Sequence, residues 1–156
     1  MHIFNKLIAR AIPFVPRNII QKISRRYIAG ETLSEALARV RALNESGFLV
    51  TLDVLGETVS TLQGAEVSAH DYIELLEAVH THGLNANISI KPSAMGLLLD
   101  VPHCEALTLR ILECAQKLGN SVCMDMEDVT CTTKEIDYSS DWRKRVTMSD
   151  WRCSRI

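Results

Sequence analysis

The sequence predicts an α/β fold in the form of a partial (β/α)8 barrel, with about three βα units and an N-terminal helical arm. Three apolar segments rich in β-branched residues begin near Leu49, Asn87 and Ser121, at roughly equal steps. Each step holds one segment with helical periodicity, and strands joined by helices run parallel beneath a helical layer. A glycine-rich phosphate loop follows none of these strands, which favours a barrel over a nucleotide-binding doubly wound sheet.

The helices are predicted from apolar residues three and four positions apart and from a glycine that closes each segment. They are ETLSEALARVRALNESG (31–47), with Thr32 as a candidate cap, AHDYIELLEAVHTHG (69–83) and CEALTLRILECAQKLG (104–119). The strands lie in FLVTLDVLG (48–56), NANISIK (85–91) and SVCMDME (121–127). The first of them is expected to be buried on both faces, because it forms a nearly continuous apolar run.

The two ends of the chain differ from this pattern. Apolar residues in MHIFNKLIARAIPFVPRN (1–18) have helical spacing, but the run is too short to span a membrane. It is expected to cap the domain, with peripheral membrane contact as the alternative. Residues 129–156 are densely charged and have no apolar period, so they predict no fourth strand. We therefore divide the chain into a barrel domain at 1–128 and a divergent tail at 129–156.

Composition narrows the classes of function. Basic and acidic residues are interleaved and give a net charge of −2, which provides no basic surface for nucleic acid. Five cysteines without a C-x-x-C pair indicate a reducing cytoplasm rather than a disulfide framework. His80 and His82 share a predicted helix end, but no third ligand is spaced to complete a metal site, so no metal is expected.

Charged residues follow every predicted strand, and in barrels this end of the strands carries the chemistry. They are Asp53 with Glu57, Lys91, and Asp125 with Glu127 and Asp128. Neighbouring parallel strands lie about 4.8 Å apart, so we expect an ion pair between Lys91 and Asp125. A lysine in this place could bind a substrate carboxylate or, when desolvated, form a Schiff base as in an aldolase. The residues leave both chemistries open.

Four segments together resemble a known family: RRYIAGETLSEAL, GFLVTLDVLGE, NISIKPSAMGL and LGNSVCMDMED. In order and spacing they are similar to the opening of the catalytic barrel of bacterial proline dehydrogenases, over approximately residues 25–128. The resemblance implies a (β/α)8 barrel that binds FAD and oxidises L-proline to Δ1-pyrroline-5-carboxylate.

The resemblance also assigns roles to individual residues. Lys91 matches the lysine that helps to hold the proline carboxylate, Asp125 matches an acidic catalytic-site residue, and the backbone at Met126 matches a position that touches the flavin. Asp53 and Glu57 fall in the LDVLGE motif and receive no catalytic role. Pro92 and Ala94 depart from the K-L-T-Q-L-G-L pattern of many relatives, so the loop after Lys91 is expected to differ.

The family's later strands and final helix supply a flavin-binding glutamine and arginine and a paired arginine that binds the substrate carboxylate opposite the lysine, and these have no counterpart in this sequence. The resemblance therefore implies a truncated proline dehydrogenase-like chain that is inactive alone. The alternative is a non-catalytic half-barrel that self-associates or binds a partner through an unpaired sheet edge.

Overall fold

This computed structural model describes residues 28–30, 32–56, 58–125 and, for the backbone alone, 152–153. Within these ranges the chain forms four parallel strands and three α-helices, and a helix precedes each of the first three strands. The chain divides into two units, Met1–Arg39 and Val40–Ile156. The predicted N-terminal arm and the positions of Glu57, Met126, Glu127 and Asp128 lie outside the described residues.

The helices are α1 (Leu33–Glu45), α2 (Leu62–Thr81) and α3 (Val101–Lys117), and a short 3-10 helix spans Pro92–Met95. The strands are β1 (Val50–Asp53), β2 (Ala86–Ile90), β3 (Val122–Met124) and β4 (Arg152–Cys153). The expected βα alternation is therefore confirmed for the described part of the chain.

The sheet has the order β1-β2-β3-β4, and every neighbouring pair is parallel. Leu52 on β1 lies beside Ile88 on β2, which in turn lies beside Val122 on β3. The expectation that residues 129–156 contain no fourth strand is wrong, because β4 pairs with β3. Two residues are too few to give a period in the sequence. The division into 1–128 and 129–156 stays a prediction.

The sheet has one apolar and one polar face, since side chains alternate along a strand. Five apolar residues of the first three strands are buried on the first face: Leu52, Ile88, Ile90, Val122 and Met124. Polar residues occupy the alternate positions, and Thr51 and Asp53 are exposed. The expectation that β1 is buried on both faces is therefore wrong. The large apolar residues of that run lie outside the strand and are exposed: Phe48 and Leu49 precede it, and Leu55 follows it.

Helices α2 and α3 pack against each other, and α2 also packs against β2. Helix α2 begins seven residues before the predicted start at 69, because the Thr61 side chain caps it by accepting from the backbone N–H of Gly64 at 3.1 Å. Asp100 caps α3 in the same way, and Thr32 caps α1 as expected. None of the described helices combines the length and the apolar character needed to cross a membrane.

The segment after Lys91 forms a buried turn. All four residues of the Pro92–Met95 helix are buried, and the helix packs against α2 and α3. It ends at Gly96, whose φ of +83° is favourable only for glycine. The backbone N–H of Leu97 then donates to the carbonyl of Pro92 at 3.0 Å. This turn fixes the chain directly beyond β2.

Asn44 joins the end of α1 to the start of the sheet. Its Nδ2 donates to the carbonyls of Phe48 and Asn85 at 2.9 and 3.0 Å, and its Oδ1 accepts from the Asn85 backbone N–H at 2.8 Å. One side chain therefore bonds three backbone groups, of which the Asn85 carbonyl also accepts from the backbone N–H of Val50 at 3.3 Å. Asn44 thereby sets the point at which β1 and β2 begin.

We predict that Gly96→Ala destabilises the chain. A methyl group at this left-handed position costs about 1–2 kcal/mol, and its Cβ would lie 3.4 Å from the Cβ of Ala65. Urea denaturation followed by circular dichroism measures the free energy of unfolding. Gly56→Ala is the control, since a Cβ there meets nothing within 4 Å. Equal free energies for the two variants would contradict the role of Gly96.

We also predict that Asn44→Ala lowers the free energy of unfolding by about 1–3 kcal/mol, because three side-chain hydrogen bonds to the backbone are lost. Asn44→Asp is the matched variant: it keeps the acceptor for Asn85 but places a negative charge beside two carbonyl oxygens. We expect Asn44→Asp to be no more stable than Asn44→Ala. A loss below about 0.5 kcal/mol in both variants, which is the usual size of a surface effect, would show that the three bonds contribute little.

Candidate functional site at the strand ends

The carboxyl ends of the strands bring three charged residues to one edge of the sheet. Asp53 ends β1 and lies beside Ser89, while Lys91 and Asp125 directly follow the paired residues Ile90 and Met124. The backbone N–H of Asp125 donates to the carbonyl of Ile90 at 2.9 Å, so the chains still run side by side at this point. The expected common edge is therefore present.

Lys91 forms an ion pair with Asp53, through Nζ and Oδ2. The expected pair between Lys91 and Asp125 does not form, although both residues are described. Asp53 and Lys91 lie on the polar face, and the flexible lysine stem reaches sideways across one strand spacing to β1. The two side chains are 29% and 20% exposed, so the pair is partly shielded from water.

Tyr72 on α2 supports this pair, and sequence reasoning did not find it. Its side chain is fully buried, and its hydroxyl donates to Oδ1 of Asp53 at 3.1 Å. In the sequence, Tyr72 is simply one of the apolar positions of a helix. The one available signal was its hydroxyl, since a buried tyrosine O–H usually requires a hydrogen-bond partner.

The backbone of Lys91 is held extended, with φ −111° and ψ 119°. Proline at position 92 restricts the preceding residue to this region, because the proline ring clashes with a helical conformation there. Proline at position 92, where many relatives have another residue, therefore has a local effect. It keeps the backbone of Lys91 in line with β2 up to the point where the buried turn begins.

The polar face beneath the ion pair carries small side chains. Ser89 lies between Asp53 and Cys123 in the register of the sheet and is buried. Two residues before Ser89 on the same strand, Asn87 donates from Nδ2 towards Sγ of Cys123 at 3.7 Å, a long contact to a weak acceptor. This face therefore offers hydroxyl, amide and thiol groups next to the charged edge.

A cavity of about 450 Å³ lies at the opposite end of the strands. Its lining includes Asn85, Asn120 and Ser121, and it contains neither Lys91 nor Asp53. Among the described residues that line it, there is no carboxylate or ammonium group. This cavity is thus separate from the charged edge of the sheet, and we place the candidate functional site at that edge, where Asp53, Lys91 and Asp125 lie.

Metal and thiol chemistry receive little support within the described ranges. In these, no group of three or more His, Cys, Asp or Glu residues could hold a metal ion. Burial raises the pKa of the Cys114 thiol, and the nearby carboxylate of Glu77 raises it further. Cys114 is therefore a poorer nucleophile than an ordinary cysteine, because the thiolate is the reactive form.

Comparison with known proteins matches residues 36–153 to the family model described as proline dehydrogenase. The proline dehydrogenase of Deinococcus radiodurans is 36% identical over 118 residues, which cover 73% of this chain and 38% of the relative. Proline dehydrogenase 2 of Bacillus subtilis is 30% identical over 120 residues, covering 77% of this chain and 40% of the relative. The chain thus spans about two fifths of the length of these relatives.

A solved structure gives the same result for the fold. Proline utilization A of Bdellovibrio bacteriovorus, inactivated by N-propargylglycine, superposes with a TM-score of 0.76 at 17% identity, covering 94% of this chain and 18% of that one. The family match continues past Asp128, further than the sequence motifs indicated. It covers three quarters of the chain and includes Asp53, Tyr72, Lys91 and Asp125. The chain therefore belongs to the proline dehydrogenase family.

Proposed function

We propose that this chain provides the lysine-bearing wall of a site that oxidises L-proline to Δ1-pyrroline-5-carboxylate. The proposal is supported by the family membership and by one observation, the Lys91 ammonium held by Asp53 at the carboxyl end of β2. An ammonium at a barrel rim is suited to binding a carboxylate as a point charge. L-Proline carries such a carboxylate beside its ring nitrogen.

Lys91 would bind the carboxylate of proline and thereby orient the ring. Its ammonium has three donors, so it can keep Asp53 and still donate to a second carboxylate. Asp125 follows Met124 at the same edge and is the acidic residue that would face the bound amino acid. Both roles are the ones that the matching residues have in the proline dehydrogenase family, and we propose them for Lys91 and Asp125.

The cofactor of the proposed reaction is FAD. The residues present fit a flavin, whose ring carries N–H and carbonyl groups and so requires both acceptors and donors. The ammonium of Lys91 and the hydroxyl of Ser89 are donors, and the carboxylate of Asp53 is an acceptor. The backbone at Met126 would touch the ring. When bound, the flavin supplies the hydride acceptor for the carbon beside the proline nitrogen.

We further propose that the chain does not turn over proline alone. It spans about two fifths of the length of its relatives, and catalysis requires the flavin to be fixed against the substrate carbon. A Schiff-base function for Lys91 is less well supported, because its amine is engaged by Asp53. The cytoplasmic location and peripheral membrane contact expected from the sequence stay predictions.

We predict that L-proline perturbs the NMR signal of the Lys91 side chain in protein labelled with 13C at the lysine ε-carbon. The perturbation arises because the proline carboxylate approaches Nζ. L-Prolinamide, which lacks the carboxylate, should leave the signal unchanged, and Lys117 on the surface of α3 serves as the internal reference. The variant Lys91→Met assigns the resonance.

Equal shifts with L-proline and L-prolinamide, or no shift with either, would contradict carboxylate binding at Lys91. Proline-dependent dye reduction in the presence of FAD is the parallel assay. We expect the isolated chain to show no reduction above the rate without proline. Turnover that Lys91→Met abolishes would support the proposed chemistry and overturn the proposed inactivity.

A second candidate function is self-association through β1, which is one of the two edge strands among the described residues, the other being β4. The observation that favours it is the exposure of three large apolar side chains that flank this strand: Phe48 at 61%, Leu49 at 68% and Leu55 at 71%. An unpaired edge with apolar neighbours is a template for pairing with another chain.

We predict that light scattering after size exclusion detects a dimer that Leu49→Lys dissociates, because a charge beside the strand opposes edge pairing. Val67→Lys is the matched control, since Val67 is also an exposed apolar residue, at 57%, but lies on α2. A monomer for the unmodified chain, or equal dissociation by both variants, would exclude association through β1.

A further inference from the structure

Tyr72 lies where a helix side chain reaches the charged edge of the sheet. It is fully buried on α2, on the face that also buries Ala65, Ala69 and Leu76. Long side chains on a helix point back towards its N-terminus, and α2 starts soon after β1 ends. This direction carries the tyrosine hydroxyl to the carboxylate of Asp53.

The two oxygens of Asp53 have different partners on different elements. Oδ1 accepts the hydroxyl of Tyr72 at 3.1 Å, and Oδ2 pairs with Nζ of Lys91. A carboxylate held at one oxygen can no longer rotate freely about its side-chain bonds. The direction of Oδ2, and with it the place of the ammonium, therefore depends on the hydroxyl of Tyr72.

Such a support matters because the pair is only partly shielded. Asp53 and Lys91 keep 29% and 20% of their side chains exposed. Water that reaches the two charges weakens their attraction, so the charges alone hold two flexible side chains only loosely. Tyrosine has only two side-chain torsions, and its ring is packed in the core. Tyr72 is therefore more rigid than Asp53 and Lys91. Its hydroxyl carries no charge, but it fixes the orientation of the Asp53 carboxylate.

We propose that Tyr72 is a positioning residue, which acts through Asp53 to hold the Lys91 ammonium at the strand ends. The role in substrate binding rests on the proposed function, in which Lys91 receives the carboxylate of proline. The positioning itself is a property of this chain that can be measured without a substrate.

The experiment measures how fast Lys91 reacts with an amine-specific acylating reagent, by peptide mass spectrometry, relative to the exposed Lys117. We expect Asp53→Asn to accelerate the labelling of Lys91 about fivefold, because the ammonium loses its counter-charge. Tyr72→Phe should accelerate it about two- to threefold, since the charge remains but the carboxylate loses its fixed direction. Labelling of Lys117 should not change.

The double variant separates positioning from packing. If Tyr72 acts through Asp53, Tyr72→Phe adds nothing in the Asp53→Asn background, because the carboxylate on which it acts is gone. A merely structural tyrosine would give the same change in both backgrounds, or none, since phenylalanine keeps the ring. Either of these results would overturn the proposal, whereas loss of the effect in the Asp53→Asn background supports it.

The variant Asp53→Glu provides a second test in case Tyr72→Phe does not fold. The longer side chain keeps the negative charge but cannot meet Tyr72 and Lys91 in the same geometry, so we expect faster labelling of Lys91 than in the unmodified chain. Unchanged labelling in Asp53→Glu would contradict the proposal even if Tyr72→Phe were unstable. Failure of proline to perturb Lys91, by contrast, would count against the proposed function alone.

Discussion

The ion pair between Lys91 and Asp53 depends on the parallel alignment of β1 and β2, and the candidate site depends on that pair. Because Asp53 lies beside Ser89 and Lys91 follows two positions later, both side chains are on the polar face at the same end of the sheet. A shift by one residue in either strand would turn one of them to the apolar face. The backbone register and the charge pair are therefore a single constraint.

The unequal faces of the sheet explain how structure and function are divided. Leu52, Ile88 and Met124 belong to the buried side, where α2 packs against β2 and α3 packs against α2. Ser89, Cys123 and the charged strand ends belong to the other side. The chain belongs to the proline dehydrogenase family. In a closed (β/α)8 barrel, the face of the sheet that the helices do not cover lines the interior and the mouth of the barrel.

Much of the fold follows from periodicity and end signals. The strands in 48–56, 85–91 and 121–127 and the helices that separate them were expected, because apolar spacing and closing glycines are local features. The early start of α2 was missed, since Gly64 and Ser68 resemble loop residues until the cap formed by Thr61 is known. Strand β4 contains two residues, Arg152 and Cys153, and is recognised only through its pairing with β3.

The site was predictable in place but not in detail. The sequence indicates that Lys91 and Asp125 follow neighbouring strands, and they do. It does not indicate how far a flexible lysine reaches sideways, so the partner of Lys91 was assigned to the wrong strand. Tyr72 has the spacing of a core residue, and nothing in one sequence distinguishes a tyrosine that fills space from one whose hydroxyl meets a charge. Both errors concern contacts between distant positions, which periodicity does not contain.

The buried turn after Lys91 has a consequence for how this barrel mouth can change. Because Pro92–Met95 is enclosed between α2 and α3, the connection after β2 has little freedom to accept inserted residues or larger side chains. The connection after β1 is the opposite case, with exposed Leu55 and Gly56. Variation in the length of the connection is therefore open to the segment beyond Asp53 and closed to the one beyond Lys91.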